Sequence, residues 1–327
     1  MNFKESLEII DCHSHFFPNA FGPNSDPNVY VREATKIGIS GAIISASPTP
    51  KYDLLDKEYY PCLWVWNTTL NKFEYFSQTC DINGNIIDKQ LAGINPFREV
   101  NLKLLHYIKQ KKDSLNLFMS YLHHPILDTP DEMEFFLKDP FVKAVKIHGI
   151  STASTPDDIS KNALDLFKKY KKPVITHIDY SSIVSNPISR LYRENNAIYW
   201  IKWSQKNNIS LLITHAARRS EEAIKMINSS DKIILGCSPD LMLKNETERL
   251  ETITEGSVFD FIIPRVNLRK LVCDIDYGWN VIERNQWEQN DWTAPKRMAE
   301  SLSNFGKKEL TNMVLRENSI RFFDLEI

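Results

Sequence analysis

The sequence has few of the features that mark membrane, secreted or nucleotide-binding proteins. No apolar run approaches the roughly 18–20 residues that a membrane helix needs. The first five residues include charges and form no apolar signal-peptide core. The five cysteines are scattered, with no Cys-x-x-Cys pair, which is typical of reduced thiols. We therefore expect a cytoplasmic protein with no membrane partner.

Glycine is also scarce, with 10 in 327 residues. The first apolar run carries no G-x-G-x-x-G, which argues against a dinucleotide-binding fold and a glycine-rich phosphate loop. A formal net charge of −2 gives no reason to expect a nucleic-acid partner. Apolar and charged contents of 42% and 25% are ordinary for a globular protein. A small molecule is the partner that we expect.

Short apolar runs alternate with amphipathic segments of helical length along the chain. The expected helices are 29–37, 97–112, 130–138, 156–171, 187–207, 219–229, 240–256 and 294–305. The expected strands are 7–13, 39–46, 115–122, 142–148, 173–178, 209–215, 232–237 and 270–275. Parallel strands need long crossovers, and eight such units favour an α/β fold of the (β/α)8 TIM-barrel type over an open sheet. We interpret 1–327 as one domain.

Residues 48–95 interrupt this alternation. Aromatic and polar residues alternate there, and Asn83-Gly84 between apolar runs is a hairpin signal. We expect a small antiparallel β insertion after strand 2, at the barrel mouth where active sites form. Its aromatic side chains could shape a pocket, pack onto the barrel or form a homo-oligomer contact, and the sequence leaves these alternatives open.

Most of the histidines follow predicted strands. Because side chains alternate along a strand, His13 and His15 point the same way, roughly 6–7 Å apart, and both can reach one metal ion at about 2.0–2.1 Å. Asp276 ends the eighth strand, and Lys146 lies inside an apolar run, where an unpaired ammonium is costly. The other histidines at strand ends are His123, His148, His177 and His215. Since all barrel strands end at one rim, these residues predict a metal site.

This pattern resembles the amidohydrolase superfamily of metal-dependent hydrolases over roughly residues 10–280. The matching features are Asp11-x-His13-x-His15, Lys146, His177, His215 and Asp276. The resemblance implies metal ligands among His13, His15, Lys146, His177, His215 and Asp276.

The resemblance allows two metal arrangements. In a dihydroorotase-like site, a carboxylated Lys146 bridges two metals, with His13 and His15 on one ion and His177 and His215 on the other. In a mononuclear site, Lys146 is structural and His215 acts on the substrate or on water. The ligands of that single metal are His13, His15, His177 and Asp276.

The expected cofactor is a divalent metal, one ion or two, with Zn²⁺ the first candidate and Mn²⁺ or Fe²⁺ as alternatives. Such an ion activates water at neutral pH. Asp276 and His215 are the expected catalytic residues, as proton acceptor and as carbonyl polariser. Residues just beyond the strand ends are expected to bind the substrate: His123, His148, Arg218 and Trp279.

The function predicted on this basis is hydrolysis of a C–N or C–O bond, as in an amide, lactone or ester of a small molecule. The alternative is a non-hydrolytic decarboxylase of the aminocarboxymuconate-semialdehyde-decarboxylase type. A TatD-like deoxyribonuclease is disfavoured, because that family has a glutamate where this chain has Lys146. A binding barrel without catalysis is disfavoured because every expected ligand position is filled.

Overall fold

The computed structural model describes most of the 327-residue chain. The described residues are 8–16, 27–47, 52–53, 57–81, 83, 85–111, 115–178, 189–237, 258–277, 282–283, 286–287 and 292–327.

The described strands, in chain order, number fourteen. They are β1 (Ile9–Phe16), β2 (Ile39–Ala46), β3 (Tyr52–Asp53), β4 (Lys57–Asn67), β5 (Lys72–Asp81), β6 (Ile86–Leu91), β7 (Asn116–Leu122), β8 (Val142–Ile147), β9 (Val174–Thr176), β10 (Leu211–Ile213), β11 (Ile233–Cys237), β12 (Leu271–Cys273), β13 (Ile282–Glu283) and β14 (Gln286–Trp287).

Eight of these strands form a parallel sheet in the order β1-β2-β7-β8-β9-β10-β11-β12. The sheet curls so that its first and last strands meet. There, the Asp276 N–H donates to the His13 carbonyl at 2.9 Å, and the His15 N–H donates to the Tyr277 carbonyl at 2.7 Å. The prediction of a (β/α)8 barrel from eight apolar runs is confirmed.

Helices connect the strands, as parallel pairing requires. They are α1 (Pro27–Lys36), α2 (Arg98–Gln110), α3 (Pro130–Leu137), α4 (Lys161–Lys169), α5 (Ser189–Glu194), α6 (Ala197–Asn207), α7 (Glu221–Asn228), α8 (Val258–Ile262), α9 (Ala294–Asn304) and α10 (Asn318–Phe323). Within the described ranges, no helix is both long enough and apolar enough to cross a membrane.

Two predicted helices are divided in the structure. The one expected over 187–207 is α5 followed by α6, because the Asn196 side chain accepts from the Tyr199 N–H at 2.9 Å and starts a new helix. The one expected over 156–171 is a 3₁₀ turn, Pro156–Asp158, followed by α4, which Ser160 caps. The helix expected over 240–256 lies outside the described residues.

The insertion after strand 2 is an antiparallel sheet in the order β3-β4-β5-β6, as predicted. Its long hairpin, β4 and β5, contacts the loop that follows β8. The Trp64 indole N–H donates to the Ile150 carbonyl at 2.8 Å, and the Tyr75 hydroxyl donates to the Ala153 carbonyl at 3.3 Å. The sheet therefore lies against the carboxyl-terminal side of the barrel strands.

The barrel interior holds its own apolar cluster. Strand residues that contribute include Ile10, Ile43, Ile175, Leu212 and Val272. The C-terminal segment adds to this cluster with two residues that follow or end α10, Phe323 and Leu325. The chain end thus fills the barrel on the side opposite the strand C-termini. The interior on the side of the strand C-termini is polar.

Candidate metal centre

Three side chains from the first and last barrel strands converge. His13 Nε2 lies 3.0 Å from His15 Nε2. The Asp276 carboxylate lies 3.4 Å from His13 Nδ1 and 3.8 Å from His15 Nε2. One ligand atom from each residue falls within 4.8 Å of the others, and all three residues are buried. Two imidazoles and a carboxylate at this spacing form a set that suits zinc and related divalent metals.

An irregularity in β1 aims both histidines into the barrel. Ile10 and Cys12 belong to the interior cluster, so strict alternation would turn His13 and His15 outward. The pairing register of β1 with β2 shifts between Asp11 and Ser14, which resets the alternation. The Nδ1 atom of His15 then lies 3.3 Å from the Ala46 carbonyl, and donation there leaves the Nε2 lone pair directed at the cluster.

Lys146 on β8 joins this cluster. Its Nζ lies 2.7 Å from His13 Nε2, and the side chain is fully buried. Burial lowers the pKa of Lys146 below its ordinary value, although the carboxylates of Asp276 and Asp274 act against this shift. A neutral amine is the form of lysine that acts as a nucleophile or a ligand.

His177 and His215 extend the cluster on its far side. His215 Nε2 lies 2.8 Å from His177 Nδ1, and His215 Nδ1 lies 3.7 Å from Asp276 Oδ2. The His148 ring stacks on the His177 ring with centroids 4.0 Å apart. The structure thus brings together all six predicted ligands: His13, His15, Lys146, His177, His215 and Asp276.

The imidazoles of this cluster are held in their neutral form. Burial is the main cause that lowers the pKa values of His13, His15, His177 and His215 well below the ordinary range. Nearby positive charges lower them further, with Lys146 acting on His13 and His15 and Arg218 on His177. Neutral imidazole is the form that binds a metal.

Two of the predicted ligands have strained backbones. His215 and Asp276 both have a φ of 53°, in the left-handed region. The four residues after His215, through Arg219, continue in left-handed turns, which cost roughly 1–2 kcal/mol per non-glycine residue. Strain of this kind is concentrated at functional sites, where the surrounding fold holds it in place.

The residues present fit a divalent metal. Two nitrogen lone pairs 3.0 Å apart, as on His13 and His15, repel each other unless a proton or a cation lies close to both. His13 Nδ1 and Asp276 Oδ1, which are buried and 3.4 Å apart, make no hydrogen bond to each other or to any other described residue. Buried polar atoms without partners are rare and call for an explanation such as an ion. A divalent metal ion bound by these neutral imidazoles and the carboxylate would supply that explanation.

The residues predicted to bind substrate are found in different places. Arg218 lies near the cluster, where its charge influences His177, His215 and Asp276, and its Nε donates to the Ile178 carbonyl at 2.9 Å. His148 also lies at the cluster. Trp279 lies outside the described residues.

His123 is not brought to the cluster. Its Nδ1 lies 2.9 Å from Asp128 Oδ2, and its ring makes an edge contact with Phe167 on α4. The neighbouring Tyr121 stacks on Phe136 of α3, so this side of β7 faces the helices. The structure gives His123 a packing role between strand and helices and no contact with the cluster histidines.

A cavity of about 480 Å³ lies between the β4–β5 hairpin and the loops after β7 and β8. The hairpin supplies Trp66, Phe73 and Tyr75 to its wall, and the loop after β8 supplies Ala153 and Thr155. This volume is in the range of small-molecule sites. The loop that carries His148 at one end thus forms part of the cavity wall at the other.

Asp11 belongs to the sequence motif, which predicted no role for it. In the structure its buried carboxylate accepts four hydrogen bonds, two from the backbone N–H groups of His13 and Ile275 and two from the hydroxyls of Ser14 and Tyr30. Burial raises the pKa of Asp11, these hydrogen bonds oppose the rise, and the net result is a pKa of about 6. The sequence signal for such a role was the position of an aspartate inside an apolar, strand-forming run, because a buried carboxylate needs hydrogen-bond donors.

No family model matches the chain, and no curated protein sequence matches it. Solved structures do share its fold. Dihydroorotase from Saccharomyces cerevisiae, in complex with 5-fluoroorotic acid, is 13% identical with a TM-score of 0.59, over 98% of this chain and 84% of that chain. IDCase from Metarhizium anisopliae is 10% identical with a TM-score of 0.53, over 98% of each chain.

These two structures share the (β/α)8-barrel fold of this chain. The resemblance drawn from the sequence is thereby confirmed at the level of the fold. An inactive dihydroorotase-like domain of the Chaetomium thermophilum CAD-like multifunctional protein is also similar, with 11% identity, a TM-score of 0.53, and coverage of 98% of this chain and 80% of that chain. Because the fold also occurs without activity, catalysis must be argued from the site residues.

Proposed function

We propose that the protein is a metal-dependent enzyme of the amidohydrolase superfamily that hydrolyses a C–N or C–O bond of a small molecule, such as an amide, lactone or ester. The observation behind this proposal is the buried convergence of neutral imidazoles on Asp276 and Lys146 at the carboxyl-terminal ends of the barrel strands. Enzymes with this fold have their active sites at this end of the barrel.

His13, His15 and Asp276 would hold a divalent metal, which supplies a Lewis acid and makes water a better nucleophile at neutral pH. Asp276 is the proposed proton acceptor. Burial raises the pKa of its carboxyl group, while the charges of Lys146 and Arg218 oppose the rise. A carboxylate of raised pKa can take a proton from water at neutral pH and pass it to the leaving group.

We propose that Lys146 belongs to the metal site, in the dihydroorotase-like arrangement with His177 and His215. The 2.7 Å separation of Lys146 Nζ from His13 Nε2 supports this arrangement, and so does its lowered pKa, because carbon dioxide adds to a neutral amine. In the mononuclear alternative, His215 polarises the substrate carbonyl and Lys146 serves packing.

The remaining groups would bind the substrate. His148 and the Arg218 guanidinium lie beside the cluster, where a cation can pair with a carboxylate of the substrate. The cavity under the β4–β5 hairpin would take the part of the substrate that does not react. Zinc as the metal, a cytoplasmic location, a homo-oligomer and the absence of a nucleic-acid partner stay predictions.

Decarboxylation of an aromatic or heterocyclic acid is the second candidate. It is favoured by Arg218, whose charge reaches His177, His215 and Asp276 and which is suited to orient a carboxylate. The same metal-binding residues would serve, without a water nucleophile.

The two candidates are separated by their products. We would supply the protein with Zn²⁺ or Mn²⁺ and incubate it with lactones, amides, phosphoesters and aromatic acids. Proton release from a lactone, or release of free amine from an amide, supports hydrolysis if Asp276→Asn abolishes it. Release of carbon dioxide without water consumption supports decarboxylation. Turnover that survives Asp276→Asn on every active substrate would overturn the proposed role of Asp276.

A further inference from the structure

The barrel closes where β12 meets β1. Predicted metal ligands lie on both sides of this seam. His13 and His15 lie on β1, and Asp276 follows β12. Two backbone hydrogen bonds cross the seam there, from Asp276 to His13 and from His15 to Tyr277. The relative position of the histidines and the carboxylate therefore depends on how this seam is held.

The Asp11 side chain supplies a further connection across the seam. Its Oδ1 accepts from the Ile275 N–H at 3.0 Å and from the His13 N–H at 3.2 Å. One oxygen atom thus joins the residue before Asp276 to the first metal-binding histidine. A carboxylate that accepts backbone N–H bonds acts as a local replacement for strand pairing.

The other oxygen is fixed from two sides. Asp11 Oδ2 accepts from the Ser14 hydroxyl and from the Tyr30 hydroxyl of α1, each at 2.5 Å. The Ser14 hydroxyl in turn accepts from the Tyr277 N–H at 3.1 Å, which makes a second side-chain bridge across the seam. Asp11 and Ser14 are both fully buried, so water does not compete for these bonds.

We propose that Asp11 is a positioning residue that fixes the spacing between the histidines of β1 and Asp276, with Ser14 as its partner. Asp11 does not touch the reacting atoms. It acts by holding the Ile275 and His13 backbones together. This role rests on the proposed function, in which His13, His15 and Asp276 bind a metal. Residues that orient metal ligands in this way commonly change metal affinity by about 10–100-fold when they are replaced.

Asp128 provides a matched control elsewhere in the barrel. Its Oδ2 accepts from the Tyr121 hydroxyl at 2.6 Å and from the His124 N–H at 2.9 Å, and it lies 2.9 Å from His123 Nδ1. It is thus another hydrogen-bonded carboxylate with an almost fully buried side chain, and its partners all belong to β7 and the following loop. Asp128→Ala should destabilise the fold without loosening the seam.

The first measurement is metal affinity, by competition of Zn²⁺ and Mn²⁺ with a chromogenic chelator at a temperature where circular dichroism shows every variant folded. We expect Asp11→Ala to weaken metal binding by at least tenfold. Asp11→Asn, which keeps an oxygen for both backbone N–H groups, should stay within about threefold of the wild type. Asp128→Ala should bind metal as the wild type does.

The second measurement is hydrogen exchange on the metal-free proteins, followed in peptides that cover 9–16 and 271–277. We expect faster exchange in Asp11→Ala in both peptides and no change there in Asp128→Ala. Unchanged exchange in Asp11→Ala, or equal acceleration in the two alanine variants, would overturn the proposal. A wild-type protein that binds no metal would contradict the proposed function, and the exchange data would still decide the role of Asp11.

Discussion

The Lys146 amine lies 2.7 Å from His13 Nε2, at a place where His13 is 1% exposed and Lys146 is fully buried. Burial of the Lys146 amine next to imidazoles costs free energy in the fold, because the amine must either keep an unfavourable buried charge or lose its proton. Its retention at the carboxyl-terminal end of β8 is explained if the amine takes part in the metal site, and this relationship gives the first prediction.

Lys146→Met should separate stability from metal binding. Methionine has a similar length and no charge to bury, so the metal-free variant should unfold with a free energy equal to or higher than that of the wild type. Its metal stoichiometry should fall, because the bridging group is lost. Calorimetry and metal titration check both parts. A variant that keeps the full wild-type stoichiometry would contradict the proposal that Lys146 belongs to the metal site.

His124 should make stability depend on pH on the acid side. Burial lowers its pKa to about 4, from an ordinary value of 6.5. The unfolded chain therefore binds a proton between these values while the folded chain does not, and stability falls as the pH drops from 6.5 to 4, by about 3 kcal/mol at most. His124→Asn should lose this part of the pH dependence.

The asparagine variant is chosen because its side-chain oxygen can accept from the Ile126 and Leu127 N–H groups, as His124 Nδ1 does. Urea unfolding at several pH values gives the free energies, and His106→Asn, at an exposed site on α2, serves as the control. If the unfolding free energies of His124→Asn and the wild type change with pH in the same way, His124 is not the cause of this pH dependence.

The C-terminal segment should matter for stability although it is remote from the metal residues. Phe323 is 2% exposed and belongs to the interior cluster. Phe323→Ala should cost about 3–5 kcal/mol of unfolding free energy through the cavity that it leaves. Phe305→Ala, at a position 41% exposed, should cost much less. Equal losses for the two variants would contradict the described packing of the chain end.

The β4–β5 hairpin should be held to the barrel partly by Trp64. Trp64→Phe removes the indole donor to the Ile150 carbonyl, a loss of about 1 kcal/mol, and should speed hydrogen exchange in 57–81. Trp66→Phe makes the same change on the same strand, where the indole has no hydrogen-bond partner among the described residues. Equal exchange in the two variants would argue against this contact.

The barrel was predictable because strand-length apolar runs alternate with amphipathic helices along the chain. The division of the helix predicted over 187–207 was missed, because the Asn196 side chain starts a new helix through a hydrogen bond that is visible only in the structure. The outward direction of His123 was missed because a sequence does not show which side of β7 faces the helices. Likewise, the seam role of Asp11 needs the neighbourhood of Ile275, 264 positions away.

The meeting of the predicted ligand side chains at one rim of the barrel was predictable from their positions at strand ends. Strict alternation in β1 would have turned His13 outward, and only the register shift between Asp11 and Ser14 brings it to Lys146. The Asp-x-His-x-His motif is visible in the sequence, whereas the register shift is visible only in the structure. Their roles as ligands are therefore still to be tested on the protein.

The most direct test of the metal site is the metal content of the purified protein, measured by elemental mass spectrometry beside the His13→Ala, His15→Ala double variant. We expect one or two equivalents of a divalent transition metal in the wild type. We expect the double variant to lose the metal and to retain the circular dichroism spectrum of the wild type. A wild-type protein that holds no metal and cannot be reconstituted, or a double variant that keeps its full metal content, would contradict the proposed metal site.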